Sequence, residues 1–238
     1  MIKHESIETN AGLLIILTLV VISIGGLVEI VPLFFINETV EEVEGVRPYS
    51  ALELRGRDIY QREGCYLCHS QMIRPFRDEW LRYGHYSLAA ESKYDHPFQW
   101  GSKRTGPDLL RVGGKYSDSW HLNHMYDPQS TSSGSIMPAY QWLVRNEHDR
   151  SAVQDKMRAM VTLGVPYTDE DIAGAFESME AQAAQIEQNL YADPEFARSY
   201  EEQKQYARDN GEEFIEMRNR EIVAMIAYLQ RLGTDIKV

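Results

Sequence analysis

Both cysteines of this 238-residue chain lie in one short stretch, GCYLCHS, at residues 64–70. Cys65 and Cys68 are separated by two residues, and His69 follows the second cysteine directly. Closely spaced thiols serve three chemistries: a redox dithiol, half of a zinc site, and the covalent attachment of a c-type haem. Only haem attachment uses all three side chains. The motif therefore favours one covalently bound haem c on Cys65 and Cys68, with His69 as an axial ligand of the iron.

The other chemistries find less support in the rest of the chain. A structural zinc site needs four ligands, and beyond the motif the closest candidates are His121 and His124, 52 residues past His69. A thioredoxin-like dithiol is expected near a βαβ pattern, which the sequence does not show. A chance occurrence of the five-residue motif stays open.

A sixth iron ligand is expected, and methionine is the thioether that raises the reduction potential of electron-carrying haem proteins. Met137 lies in SGSIMPAY, a Gly- and Ser-rich loop in which Pro138 favours an extended chain. Met72 is too close to His69 in sequence to reach the opposite face of a haem. The other methionines with a clear setting follow helical patterns typical of a core: Met157, Met160, Met217 and Met225. We therefore predict Met137 as the second axial ligand.

The segment RTGPDLLRVGGKY, residues 104–116, offers a partner for the predicted proximal histidine. A backbone carbonyl that accepts the second ring N–H of a metal-bound histidine fixes its orientation and basicity. Pro107 resembles the proline that supplies this carbonyl in class I cytochromes c. The alternative is an ordinary turn, because Gly106 and Pro107 form a turn pair.

An apolar run near the N-terminus predicts a membrane anchor. Residues 11–28, AGLLIILTLVVISIGGLV, contain no charge, and as a helix they would span roughly 27 Å, close to a bilayer core. A cleavable signal peptide would show a basic start, a shorter apolar run and a small-residue cleavage site. Apolar character resumes after Glu29, so we expect an uncleaved anchor at residues 11–36, with Glu29 at its far interface or against a partner subunit.

Charge does not fix the orientation of this anchor, since Lys3 precedes it and Arg47 and Arg55 follow it. The haem prediction does, because c-type haem is attached outside the cytoplasm. We expect a single-pass protein of the bacterial inner membrane with its C-terminal domain in the periplasm. The predicted organisation is a cytoplasmic N-terminus at 1–10, the anchor at 11–36, a linker at 37–49 and a cytochrome c domain at 50–238.

Two amphipathic segments are expected to position the haem motif. SALELRGRDIYQREG, residues 50–64, predicts a helix capped by Ser50 and ended by Gly64, and EIVAMIAYLQRLG, residues 221–233, predicts a closing helix. The arrangement resembles class I cytochromes c, in which the first and last helices cross at a glycine, here Gly56. Tyr60 and Tyr228 would be the aromatic residues at that crossing. The predicted fold class is mainly α: one transmembrane helix and a class I cytochrome c-like domain with a long insert and extra helices.

The C-terminal half is strongly acidic. Residues 169–216 hold 14 Asp and Glu against three Lys and Arg, which accounts for most of the net charge of −12. Thr168 and Asp171 predict a capping box, Pro194 restarts the chain, and an apolar helix face is expected at Ala173, Phe176, Ala183, Ile186 and Leu190. We interpret residues 145–216 as a solvated helical excursion. Docking of a basic electron donor is the alternative. No nucleic-acid partner is expected.

The sequence is similar to the mono-haem subunit of cbb3-type cytochrome c oxidases. The similarity runs from the anchor to the C-terminus and is carried by GRDIYQREGCYLCHSQMIRPFRDEWLRYGHYSLAAESKYDHPFQWGSKRTGPDLLRVGGKY, SIMPAY, LGVPYTDEDI and IVAMIAYLQRLGTDIK. Gln141 stands where the family commonly has a second proline. The resemblance implies an electron relay from a di-haem cytochrome c subunit to haem b of the catalytic haem-copper subunit, which reduces oxygen to water.

The insert at residues 73–104 is rich in aromatic residues, which protein interfaces enrich. The resemblance implies that Trp100, Gly101 and Ser102 face the catalytic subunit, where Gly101 and Ser102 would contact a shared calcium ion. A loop packed on its own domain is the alternative. For the whole chain, the alternatives are the cytochrome c subunit of a membrane nitric oxide reductase, an anchored haem sensor, and an anchor without haem.

Overall fold

The structure is a computed structural model that describes residues 4–35 and 43–236. Lys3, Ile36 at the predicted end of the anchor, and the first part of the predicted linker lie outside the described residues. The chain divides into two compact units, residues 1–42 and 43–238. Each unit is described by itself below.

The described residues form α-helices and short 3₁₀ turns, with no strand among them. The mainly α prediction is therefore confirmed. In chain order the helices are α1 His4–Glu8, α2 Ala11–Ile30, α3 Ala51–Arg62, α4 Arg77–Tyr83, α5 Asp118–Tyr126, α6 Pro128–Thr131, α7 Val153–Thr162, α8 Asp169–Ala173, α9 Ala175–Tyr191, α10 Pro194–Asn210 and α11 Glu221–Arg231.

The first unit consists of α1, α2 and a 3₁₀ turn at Val31–Phe34. Asn10 caps α2, and its side chain accepts a hydrogen bond from the backbone N–H of Leu13. The stretch Ala11–Leu33 is long and apolar enough to cross a membrane, and none of it is buried within the chain. A helix that is apolar on every side and covered by no other part of its own unit fits a single-pass anchor.

The core of the second unit is the crossing of α3 and α11. Ser50 and Glu53 form a reciprocal capping box at the start of α3, and α11 is buried along nearly its whole length. A Cβ built on Gly56 would lie 2.7 Å from the carbonyl carbon of Ala224 and 2.8 Å from Cβ of Tyr228. Only glycine allows the two backbones to approach so closely. The predicted crossing, with the rings of Tyr60 and Tyr228 5.3 Å apart, is confirmed.

The acidic excursion is a packed helical layer. Helix α9 packs on α3 and α11, and α10 packs on α9. The capping box of Thr168 and Asp171 is present, and α10 begins at Pro194. An aromatic cluster holds the α9–α10 hairpin to the chain before α11; its members are Tyr191, Phe196, Tyr200 and Phe214. Arg220 lies over the rings of Tyr200 and Phe214.

The predicted apolar face of this excursion was wrong at its N-terminal end. Ala173 and Phe176 are exposed, although Ala183, Ile186 and Leu190 are buried. The helix is interrupted at Gly174, between α8 and α9. The buried positions Ile172, Ala175 and Met179 continue the 3–4 spacing of Ala183, Ile186 and Leu190 across this break, and Ala173 and Phe176 lie beside that buried stripe.

Candidate functional site

Helix α3 leads directly into the cysteine motif. It ends at Arg62, and Gly64 adopts the left-handed conformation with φ of 70° that turns the chain. Cys65–Leu67 then form a 3₁₀ turn, in which the carbonyl oxygen of Cys65 accepts hydrogen bonds from the N–H of Cys68 at 3.1 Å and of His69 at 2.9 Å. Both cysteines are free thiols, Cys65 half-buried and Cys68 exposed. The turn thus presents two thiols beside one imidazole.

The imidazole of His69 is oriented by Pro107. Its Nδ1–H donates to the carbonyl oxygen of Pro107 at 2.8 Å, which leaves the lone pair of Nε2 available to a metal. Burial lowers the pKa of His69, and the bond to Pro107 opposes that shift only in part. The neutral ring, the form that can coordinate a metal, is therefore favoured.

Gly106 makes room for this ring. A Cβ built on Gly106 would lie 2.7 Å from Nδ1 of His69, well inside van der Waals contact. Sequence reasoning treated Gly106 only as the turn partner of Pro107. The contact of Gly106 with His69 depends on the tertiary fold, so it could not be predicted from the Gly106–Pro107 pair alone.

A buried polar network supports the backbone on either side of His69 and Pro107. The hydroxyl of Ser70 donates to Oδ2 of Asp108 at 2.6 Å and accepts from Nε of Arg104 at 2.7 Å. Arg104 also donates to the carbonyl oxygen of Met72 and to the carboxylate of Glu79, both at 2.7 Å. Sequence reasoning missed this network. Its only local signal is that Arg104 and Asp108 flank the Gly106–Pro107 turn.

The loop that carries Met137 returns to the cysteine motif. Met137 is half-buried and packs against the hydrophobic core. Three residues later, the N–H of Tyr140 donates to the carbonyl oxygen of Met125 in α5 at 2.7 Å. The pKa of Tyr140 is raised first by burial and then by the neighbouring thiols of Cys65 and Cys68. The structure therefore brings the methionine loop and the two cysteines to one part of the molecule.

Helix α5 lies beside the same site. His124 is half-buried and shares a hydrogen bond of 2.6 Å with the hydroxyl of Thr131, through its Nδ1. The rings of Tyr116, Trp120 and His124 form a stack, with centroid distances of 3.9 Å and 4.5 Å. The pKa of His124 is lowered by burial and then by His69. Helix α5 thus carries an aromatic stack that ends in His124.

The structure weighs against the two other uses of the cysteine pair. Burial raises the pKa of Cys65 to about 12, whereas a reactive dithiol needs a lowered thiol pKa. No group of three or more His, Cys, Asp or Glu side chains in residues 4–35 and 43–236 is placed to hold a metal ion. A zinc site of four protein ligands would require such a group.

The residues present fit a c-type haem. Two thiols, an imidazole nitrogen and a thioether sulfur are the donor set that such a haem uses. Gly106 leaves the ring of His69 unobstructed, and the Nδ1 of that ring is already paired with Pro107. The donor chemistry and the space around His69 agree with each other.

The turn that contains Gly101 and Ser102 lies directly on the cysteine motif. Gly101 has a φ of 61°, and a Cβ built on it would be 3.1 Å from the carbonyl oxygens of both Tyr66 and His69. Both turn residues are exposed. The preceding Trp100 carbonyl accepts a hydrogen bond from the N–H of Gln71 at 2.8 Å. The predicted calcium contacts are therefore next to the motif, on the outside of the domain.

Comparison with known families gives one match. The family model described as "Cytochrome C oxidase, mono-heme subunit/FixO" matches residues 4–236, nearly the whole chain. No curated protein matches the chain. The matched region includes the apolar span, the cysteine motif and the Met137 loop.

Proposed function

Because the chain belongs to the FixO family of cytochrome c oxidase mono-haem subunits, we propose that it is the electron relay of a cbb3-type terminal oxidase. It would accept electrons from a di-haem cytochrome c subunit and pass them to haem b of the catalytic haem-copper subunit. The observation that carries the proposal is the arrangement at the cysteine motif. A neutral imidazole fixed by Pro107 stands beside two free thiols.

Each residue of the site has a defined task in this proposal. Cys65 and Cys68 would hold the porphyrin by thioether bonds, and His69 and Met137 would hold the iron. When bound, haem c supplies a centre that gains and loses one electron. The Pro107 carbonyl accepts from Nδ1 of His69, so it keeps the ring in one tautomer and one orientation in either oxidation state.

The proposed ligand set would also exclude other chemistry at the iron. A thioether in the sixth position would leave no open coordination site, so the iron would exchange electrons without binding oxygen. The family's complex is a respiratory enzyme. Reduction of oxygen to water would take place in the catalytic subunit, and this chain would perform no bond chemistry.

The setting of the relay follows from the anchor and from the attachment chemistry. The apolar helix would hold the chain in the bacterial inner membrane as a single pass, and covalent haem attachment would place residues 50–238 in the periplasm. Gly101 and Ser102, exposed beside the motif, would contact a calcium ion shared with the catalytic subunit. The anchor and the cytochrome c domain would be joined by residues 37–49.

The proposal is tested by visible spectra and haem staining of three proteins: wild type, Met137→Ala and Met72→Ala. We expect covalent haem in all three on a denaturing gel. The low-spin reduced-minus-oxidised spectrum should be lost or shifted only in Met137→Ala, because Met72 has no place at the iron in this proposal. An unchanged spectrum in Met137→Ala would move the sixth ligand elsewhere, and unstained wild type would overturn the covalent haem.

Carbon monoxide separates the relay from a haem sensor. The reduced wild type should not bind carbon monoxide, because Met137 occupies the sixth position, whereas Met137→Ala should bind it. Binding by the wild type would favour a sensor with an open position. The nitric oxide reductase alternative has no support in the family match, which is to a cytochrome c oxidase subunit.

A further inference from the structure

Helix α4, Arg77–Tyr83, turns one side to the domain and the other to solvent. Glu79 is only 3% exposed. On the outer side, Phe76 is 54%, Trp80 53% and Leu81 67% exposed. Arg77 and Leu81 are four residues apart and stand side by side on the helix. We call the exposed set Phe76, Arg77, Trp80, Leu81 and Arg82 the α4 face.

The α4 face is held in place from beneath. The N–H of Arg74 donates to Oε2 of Glu79 at 2.9 Å, and Nη1 of Arg104 lies 2.7 Å from Oε1. The guanidinium of Arg104 also covers the ring of Tyr83 at 5.3 Å. Because the inner side is fixed by charged hydrogen bonds, the exposed aromatic and aliphatic side chains belong to an ordered surface.

The cations of the α4 face, Arg77 and Arg82, are exposed. Among the described residues, Arg77 forms no ion pair, and Arg82 lies over the ring of Tyr83 at 5.1 Å. Asp78 is exposed on the same helix. Exposed Trp, Leu and Phe between arginines are typical of the interfacial region of a bilayer.

Charge is distributed unevenly along the second unit. Residues 73–104 carry six Lys and Arg against four Asp and Glu, whereas residues 169–216 carry three against fourteen. Anionic lipid attracts the first segment and repels the second. The acidic segment includes α9 and α10, whereas the α4 face belongs to the segment with a net positive charge.

We propose that the α4 face is a membrane-contact surface that lies in the headgroup region of an anionic bilayer. Trp80, Leu81 and Phe76 enter the boundary between headgroups and acyl chains, and Arg77 and Arg82 bind lipid phosphates. We choose lipid as the occupant because exposed arginines flank the apolar side chains, an arrangement that suits anionic headgroups above an acyl-chain boundary. The same chain carries an apolar span, which keeps the domain near a bilayer.

The test places nitroxide spin labels on the full chain in lipid nanodiscs. One label is at Leu81→Cys and the matched control is at Tyr206→Cys, an exposed position on α10. The parent chain, taken through the same labelling, supplies the background from Cys65 and Cys68. Collisions with oxygen report contact with lipid, and collisions with a water-soluble nickel complex report contact with water.

In phosphatidylglycerol nanodiscs we expect the ratio of oxygen to nickel collisions to be several-fold higher at position 81 than at position 206. The difference between the two positions should be smaller in phosphatidylcholine nanodiscs. It should also be smaller in phosphatidylglycerol when the labelled chain carries both Arg77→Gln and Arg82→Gln. Equal ratios at the two positions would overturn the proposal. So would a label at 81 that becomes protected only when the catalytic subunit is added, because the face would then be a protein interface.

This inference is independent of the proposed electron relay. The spin-label contrast concerns lipid contact, so a chain without haem would still show it. Conversely, loss of the contrast would leave the spectra of wild type and Met137→Ala unchanged. A negative result in one experiment would therefore leave the other proposal standing.

Discussion

Gly106 lies against the imidazole of His69. A Cβ built on Gly106 would be 2.7 Å from Nδ1 and 2.8 Å from Nε2 of that ring. The neighbouring Pro107 meanwhile accepts the hydrogen bond from Nδ1. In this turn the carbonyl oxygen of Pro107 fixes the ring by accepting its hydrogen bond, and Gly106 makes space for the ring because it has no side chain.

Gly106→Ala should therefore displace His69 or Pro107. Overpacking of this kind costs about 1–3 kcal/mol in stability, and the hydrogen bond to Pro107 should lengthen or break. We expect a shifted reduced visible spectrum and a lower thermal midpoint. Thr105→Ala, at an exposed neighbouring position, is the control and should change neither. A wild-type spectrum in Gly106→Ala would show that the ring has room to move.

Gly56→Ala should separate α3 from α11. The new methyl group would lie 2.8 Å from Cβ of Tyr228, and backbone contacts on both helices prevent relief by rotamer changes alone. We expect a loss of about 3 kcal/mol in the free energy of unfolding, at the upper end for overpacked cores. Thermal melting followed by circular dichroism measures it. Gly26→Ala, with nothing within 4 Å of the added Cβ, should melt like the wild type.

Arg104→Gln should weaken the polar network beside His69. The substitution removes hydrogen bonds to Ser70, Met72 and Glu79. It also deprives the buried Glu79 carboxylate of one of its two arginines. Loss of one partner of a buried ion pair typically costs about 3–5 kcal/mol, and since Arg74 remains we expect about 3 kcal/mol. Urea unfolding of Arg104→Gln against Lys103→Gln, an exposed neighbour, measures this, and equal midpoints would contradict it.

Glu79 should make the free energy of unfolding depend on pH in the acidic range. Its pKa is lowered from 4.5 to about 2, first because Arg104 donates a hydrogen bond to it. A carboxyl group whose pKa is lower in the folded state adds stability above its unfolded pKa, and this is lost as the pH falls through the folded pKa. Between pH 4.5 and 2, wild type should lose more free energy of unfolding than Glu79→Gln. The comparison is made by urea unfolding at several pH values.

The control for this pH prediction is Asp78→Asn. Asp78 is exposed beside Glu79 on α4. Asp78→Asn should keep the wild-type slope of unfolding free energy against pH. If Glu79→Gln also kept that slope, the link between Arg104 and Glu79 would not contribute to stability in acid.

Local patterns predicted the elements well. Ser50, Gly64, Thr168 and Pro194 mark helix ends through short-range chemistry, and each does so in the structure. The crossing at Gly56 was also predicted, because the pattern of glycine and aromatic residues in the first and last helices resembles a known packing. These features depend on a few neighbouring residues or on one recurrent contact.

Long-range polar contacts could not be predicted in the same way. Ser70, Arg104 and Glu79 meet although they are separated by up to 34 positions, and nothing in their local sequence specifies the meeting. The error near Gly174 was of a different kind. The apolar face was predicted at Ala173 and Phe176, whereas the buried stripe runs through the neighbouring positions Ile172 and Ala175. Predictions of the iron and calcium ligands stay predictions until they are measured.

The α3–α11 crossing determines how late in synthesis the core of the second unit can form. Gly56 and Ala224 are 168 positions apart in the chain, so the helix that leads into the cysteine motif acquires its main packing partner only after the intervening residues have been synthesised. Contacts of such long range form late and slow the folding of a domain. Until α11 emerges, Cys65, Cys68 and His69 remain accessible on a chain without a completed core.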